Sequence, residues 1–280
     1  LLENDGSGKF TNMTQNRAPL FLKLGMVTDA LTTDLDQDGV EELIVVGHWM
    51  APKVFKSHQN QLIDATDQFE LGGYAGLYNT IAKGDFNEDG YVDLIFGNQG
   101  TNSRYHASTD YPLGLLVNDF DQNGSIDLIV SMFDDKIEYP LVQLKELSMQ
   151  LPYIKKDYLK FSDFKTATLK DIFGEKLDKG GYHLKVNELR SFMWMNHPKA
   201  DYHIAELPYQ FQLFPIYDFL LEDFNTDGYI DLLAAGNFLR AKPEIGSNMG
   251  GHTALGMGNG SDSFKFVMNS KTGISISEEV

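Results

Sequence analysis

One ten-residue pattern occurs four times in this chain, and its recurrence limits the fold more than any other feature. Residues 34–43 read DLDQDGVEEL, 85–94 DFNEDGYVDL, 119–128 DFDQNGSIDL and 223–232 DFNTDGYIDL. All four fit D-x-[DN]-x-[DN]-G-x-x-[DE]-L, and each runs on into an apolar stretch, at 43–46, 94–96, 128–130 and 232–235. The flanks are short and β-rich, as in Tyr91-Val92 and Tyr229-Ile230, so each pattern is expected to join two strands. Units of this size cannot bury an apolar face alone and must pack on their neighbours.

Acidic side chains at alternating positions, followed by Gly, let a tight loop turn several oxygens inward. The Gly allows the sharp turn, the next residue offers a carbonyl, and the ninth position supplies another carboxylate. In the first loop the donors are Asp34, Asp36, Asp38, the carbonyl of Val40, and Glu42. The set recurs as Asp85, Asn87, Asp89, Tyr91 and Asp93; as Asp119, Asp121, Asn123, Ser125 and Asp127; and as Asp223, Asn225, Asp227, Tyr229 and Asp231. An all-oxygen, charge-rich set selects a hard cation and favours Ca²⁺ over Mg²⁺, giving about four expected sites. The competing reading of any single loop is an acidic surface turn, since Asp, Asn and Gly populate turns anyway. The shared register of four loops weighs against it. An EF-hand needs an acid at position 12 and flanking helices. Position 12 here is Val45, Phe96, Val130 or Ala234, which excludes it, and a dockerin-type loop pair fails likewise.

The loops start 51, 34 and 104 residues apart. The longest gap has a different texture at 141–174, where Leu141, Leu144 and Leu147 fall at helical spacing after Pro140. A helical insertion of two or three short helices is expected there. ENDGSGKFTNM near the start and GNGSDSFKFVM at 258–268 both read as hairpins. The closing TGISISEEV alternates like a strand, so the chain reads as a segment of a longer array.

Composition narrows the partners. The net charge is −17, which repels nucleic acid and anionic membrane surfaces. No apolar run reaches membrane-spanning length, so direct membrane insertion is not expected. There is no cysteine, which removes disulfides, thiolate metal sites and Cys nucleophiles. The opening LLENDGSGKF has no leader pattern, which fits either a cytoplasmic chain or one read without its natural start.

The motif between two strands resembles the FG-GAP repeat of integrin α-subunit propellers, also known as the VCBS repeat of bacterial surface proteins. GLYNTIAKGDFNEDGYVDLIFGNQG (76–100) and VNDFDQNGSIDLIVSMF (117–133) carry the likeness. It covers nearly the whole chain apart from the helical insertion. It implies an all-β propeller of four-stranded antiparallel blades over residues 1–280. About five blades are visible, where such rings usually close with seven. It also implies Ca²⁺ in the loop between the first two strands of a blade, and an extracellular or cell-surface binding and adhesion role. Rhamnogalacturonan lyases and some fungal lectins are similar in architecture, so a polysaccharide-acting protein is the alternative.

With Ca²⁺ at one end of a blade, a protein or glycan ligand is expected at the other. The loops there include His48, Trp49, Asn98, Arg104, Tyr105, Asn237 and Arg240. Packing between blades is the more ordinary role for Trp49, and Trp194, in the apolar run 191–195, reads as core. The seven histidines show no ligand spacing in the sequence. No phosphate loop, nucleophile elbow or zinc motif is present, so catalysis is not expected.

Overall fold

Each apolar run that follows a loop becomes a strand in the computed structural model, which describes residues 1–177, 179–199, 201–238, 250–251, 253–274 and 276. The first turn-rich stretch forms the hairpin β1 (Leu2–Asn4) and β2 (Phe10–Asn12), and a one-turn helix α1 (Thr14–Arg17) follows. The first sheet is a meander of β3 (Met26–Thr33), β4 (Glu42–Met50), β5 (Lys53–His58) and β6 (Gln61–Asp64). A short β7 (Gly76–Leu77) pairs with the far end of β4. The second sheet opens with β8 (Thr80–Gly84) and β9 (Asp93–Gly97).

The chain then leaves that sheet unfinished. It builds β10 (Leu113–Asn118), β11 (Asp127–Asp134) and β12 (Ile137–Pro140), then helices α2 (Leu144–Gln150), α3 (Ile154–Asp157), α4 (Phe161–Phe164) and α5 (Leu169–Phe173), then β13 (Tyr182–Val186). It returns as β14 (Phe192–His197) and β15 (Asp201–Glu206), and β14 pairs with β9 to complete the second sheet. The third sheet is again a meander, β16 (Asp218–Glu222), β17 (Asp231–Ala235), β18 (Ala254–Met257) and β19 (Lys265–Val267), before a last helical turn α6 (Asn269–Thr272). All pairings are antiparallel, as propeller blades are built.

Two compact units result: Leu1–Arg104 with Leu189–Val280, and Tyr105–Glu188. The second is thus inserted between neighbouring strands of one sheet. The expected helical stretch 141–174 lies inside it, but Pro140 ends β12 and the first helix begins at Leu144. The inserted sheet runs β13-β10-β11-β12, a Greek-key order unlike the meanders of the other unit. Three four-stranded sheets, one five-stranded sheet and one hairpin stand among the described residues where about five blades were expected. Most of the closing TGISISEEV lies outside the described residues.

In the first unit both faces of the second sheet are buried, and period-two alternation assigns each side chain to a core. Leu94, Phe96, Phe192 and Trp194 pack against Ile44 and Val46 of the first sheet. Ile95, Met193 and Met195 pack against Leu232, Ala234 and Phe264 of the third. Trp194 is buried as its strand pattern predicts, with its indole N–H donating to the carbonyl of Phe69 (3.1 Å). In the inserted unit the helices cover one face of their own sheet, with Leu147, Leu151, Ile154 and Phe173 on Leu116, Phe120 and Ile129.

Candidate metal centres

All four acidic loops connect the first and second strands of the hairpin that carries them, and all four have one backbone. The fourth residue, Gln37, Glu88, Gln122 or Thr226, adopts a left-handed conformation with φ of 57°, 59°, 58° and 59°. Gly39, Gly90, Gly124 and Gly228 follow two positions later with φ between 85° and 97°, where a side chain would be strained. The chain therefore curls around its own first carboxylate. In the second loop the N–H groups of Asp89 and Gly90 donate to the two oxygens of Asp85 (3.1 and 2.9 Å). The same pair of bonds forms on Asp34, Asp119 and Asp223. The fifth residue turns its carboxylate or amide oxygen onto the N–H of the seventh, at Asp38, Asp89, Asn123 and Asp227. This places Val40, Tyr91, Ser125 and Tyr229 at the closing corner of each loop.

The ninth residue anchors the loop to its strand. Glu42, Asp93, Asp127 and Asp231 are buried, and each accepts the N–H of the loop's second residue at 2.7–3.0 Å. Their other oxygens have different partners. Asp93 accepts the N–H of Asn196 in β14 (2.8 Å), and Asp231 accepts that of Gly258 (2.9 Å). Asp127 takes the side-chain amide of Gln150 in α2 (3.1 Å), so a helix side chain stands there where Asp93 has a strand N–H. Burial pushes Asp93 up to about 7 despite its two backbone hydrogen bonds, and the charges of Asp89 and Asp85 add to the rise. Burial also raises Glu42 against the pull of the Leu35 N–H, with Asp36 adding to the rise.

The first loop differs from the rest. The ammonium of Lys56, on β5, bonds to Asp36, lies 3.1 Å from Asp38 Oδ2 and 3.4 Å from Glu42 Oε1. This loop already holds one cation, tethered to the fold. Asp36 Oδ1 and Glu42 Oε1 are nonetheless buried without accepting a hydrogen bond. Asp34, Asp36 and Glu42 converge closely enough to hold an ion, as do Asp119, Asp121 and Asp127. In the second and fourth loops Asn87 and Asn225 stand at the third position, and their side-chain oxygens accept the N–H of Asp89 (3.1 Å) and Asp227 (2.8 Å). Every donor is a carboxylate, amide or carbonyl oxygen, which is the chemistry a calcium ion takes.

Residues 34–96 match the model of the FG-GAP-like repeat. That segment is an FG-GAP-like repeat. The match runs from the first ligand position of loop one through β9, and so takes in two complete loops. The other two share the backbone of this FG-GAP-like segment bond for bond. No curated protein sequence matches the chain.

The residues expected at the ligand end fare unequally. Asn98 and Asn237 are fully buried. The Asn98 side chain accepts the N–H groups of Leu77 (3.0 Å) and Gln99 (2.8 Å) and donates to the carbonyl of Arg190 (3.1 Å). The Asn237 amide binds Gly251 in both directions. Both clasp backbone and have no surface to offer a ligand, which corrects their expected role. Residues 47–50 continue strand β4 where a loop was expected. His48 is half-buried, with Nε2 3.0 Å from Asn79 Oδ1. Trp49 is half-buried at a register shift of β4, with φ of 61°. Arg104 and Tyr105 are half-buried, and Arg240 lies outside the described residues. Lys56, Gln150, His197, His203 and Asp262 were not singled out by the motif. They lie far from the loops in sequence, and only strand pairing or helix docking brings them near.

Proposed function

We propose that this chain is a calcium-stabilised, propeller-type binding module that works outside the cell or at its surface, with no catalysis of its own. The observation that carries the reading is the single backbone shared by four acidic loops, each curled on its first carboxylate and pinned by a buried ninth one. A divalent ion would offset the burial, and the added repulsion of Asp89 and Asp85, that raise Asp93. Loops two, three and four are the stronger sites, and loop one is weakened by the ammonium of Lys56. No helix among the described residues is long and apolar enough to cross a membrane, which fits a module carried outside it.

The ligand, a protein or a glycan, meets the strand ends remote from the loops. Trp49 lies seven residues beyond Glu42 on β4, roughly 23 Å along the strand. A bulky residue held at positive φ costs about 1–3 kcal/mol, and such strain concentrates at functional positions. Calorimetric titration of chelated protein with Ca²⁺, followed by thermal melting, tests the metal reading. Ca²⁺ should bind and raise the melting temperature, and a melting curve unmoved by either chelator or Ca²⁺ would refute it. A glycan array probed with wild type and Trp49→Gly then separates the ligands. Signal that the variant loses supports a glycan, and a silent array points to a protein.

A further inference from the structure

We propose that His197, His203 and Asp262 form a second kind of metal site, one for a late first-row cation such as Zn²⁺. The strand register brings the histidines together. Met195 pairs with His203 and His197 with Asp201 across β14 and β15, so His197 and His203 are diagonal neighbours on one face of the sheet. That face carries Met193 and Met195, which pack toward the third sheet. At its end the turn between β18 and β19 delivers Asp262. His203 Nε2 lies 2.9 Å from Asp262 Oδ2, and His197 Nε2 lies 3.6 Å from the same oxygen. The two imidazoles stack nearly parallel, 9° apart, with centroids 4.9 Å from one another. One ligand atom from each of the three residues falls within 4.8 Å of the others. Metal bonds of ~2.0–2.2 Å at a tetrahedral ion need neighbouring ligand atoms roughly 3.4 Å apart, and the exposed His203 ring turns out of the stack to aim its Nε2 at the shared ion.

The surroundings are those of a metal site. His197 Nδ1 faces Asp89 Oδ2 at 2.9 Å, and with Nδ1 donating there Nε2 keeps its lone pair for a metal. Asn87 Nδ2 reaches Asp262 Oδ1 at 3.3 Å and steadies the carboxylate from behind. A histidine oriented by a carboxylate and a hydrogen-bonded carboxylate ligand form the outer shell that tunes zinc sites. Two imidazole nitrogens and one carboxylate oxygen favour zinc-like ions over Ca²⁺. His203 is exposed and His197 and Asp262 are half-buried, which gives an ion a route in and leaves a position for water. The three ligands lie outside loop two, but their outer partners Asn87 and Asp89 belong to it, so Ca²⁺ is held saturating in the test.

The test uses the untagged full chain in saturating Ca²⁺, titrated with Zn²⁺ by calorimetry and with Co²⁺ as a visible-absorption probe. One equivalent of Zn²⁺ should bind, and Co²⁺ should show tetrahedral bands. His203→Asn and Asp262→Asn should each weaken Zn²⁺ by about tenfold or more. The exposed His58, on β5, serves as control, and His58→Asn should change nothing. Far-UV circular dichroism and the melting response to Ca²⁺ check that each variant is folded. Absence of stoichiometric Zn²⁺ binding overturns the site, as does Zn²⁺ affinity kept within about twofold in either variant.

Discussion

Lys56 shows how one side chain changes what a motif does. Its ammonium sits among Asp36, Asp38 and Glu42, and those contacts raise its pKa despite the opposing effect of burial. Replacing it with Met leaves three carboxylates without their cation. Lys56→Met should destabilise the chelated protein by about 2–3 kcal/mol, with added Ca²⁺ restoring most of the loss. Melting with and without chelator measures both, and a variant equally stable in either condition would remove Lys56 from the loop's chemistry. Asp93 yields a pH dependence. Its folded value of about 7 lies above the ordinary 3.8, so the folded state keeps a proton that the unfolded state releases. Chelated protein should therefore lose stability as pH rises from about 4 to about 7 and then level off. Asp93→Asn should flatten that slope in melting curves, and an unchanged slope would assign it to other groups.

At the scale of elements, the strands flanking the loops were the most legible part of the fold. The motif names its own ends: the ninth residue begins the second strand or lies next to its start, and the apolar run after it is that strand. The two hairpins were legible for the same local reason, a Gly-rich turn before a Phe-bearing strand. Pairing across distance was not. Nothing within residues 85–128 says that β9 will pair with β14, about 100 residues later. One hint was present: 34 residues between the second and third loops leave too little chain for two further strands and their turns. The blade-end asparagines were misread because a polar residue after a strand looks the same in sequence whether it faces water or backbone. Asn98 faces backbone, so Asn98→Ala strands the N–H groups of Leu77 and Gln99. It should cost about 2 kcal/mol by denaturant unfolding. A variant as stable as wild type would return Asn98 to the surface.

For the molecule as a whole, the decisive feature is an insertion that begins and ends at neighbouring places. Within the first unit the N–H of Gly100 donates to the carbonyl of Leu189 (2.8 Å), and the Asn98 side chain reaches Arg190. Domains are tolerated as insertions where the flanking ends lie close together. Replacing residues 105–188 with a short Gly/Ser linker should leave a protein that melts cooperatively and still responds to Ca²⁺ through loops one, two and four. Loss of the cooperative transition would show that the units fold only together. The same topology bears on how the protein is made. The middle strand β9 leaves the ribosome with the apolar Leu94, Ile95 and Phe96, while its partner β14 is still untranslated. At about 5–20 residues per second, the wait is roughly 5–20 s. For that interval the nascent chain presents an open, hydrophobic sheet edge, the surface to which holdase chaperones and other nascent chains bind. Expression yield should depend on whatever shields β9 until its partner arrives.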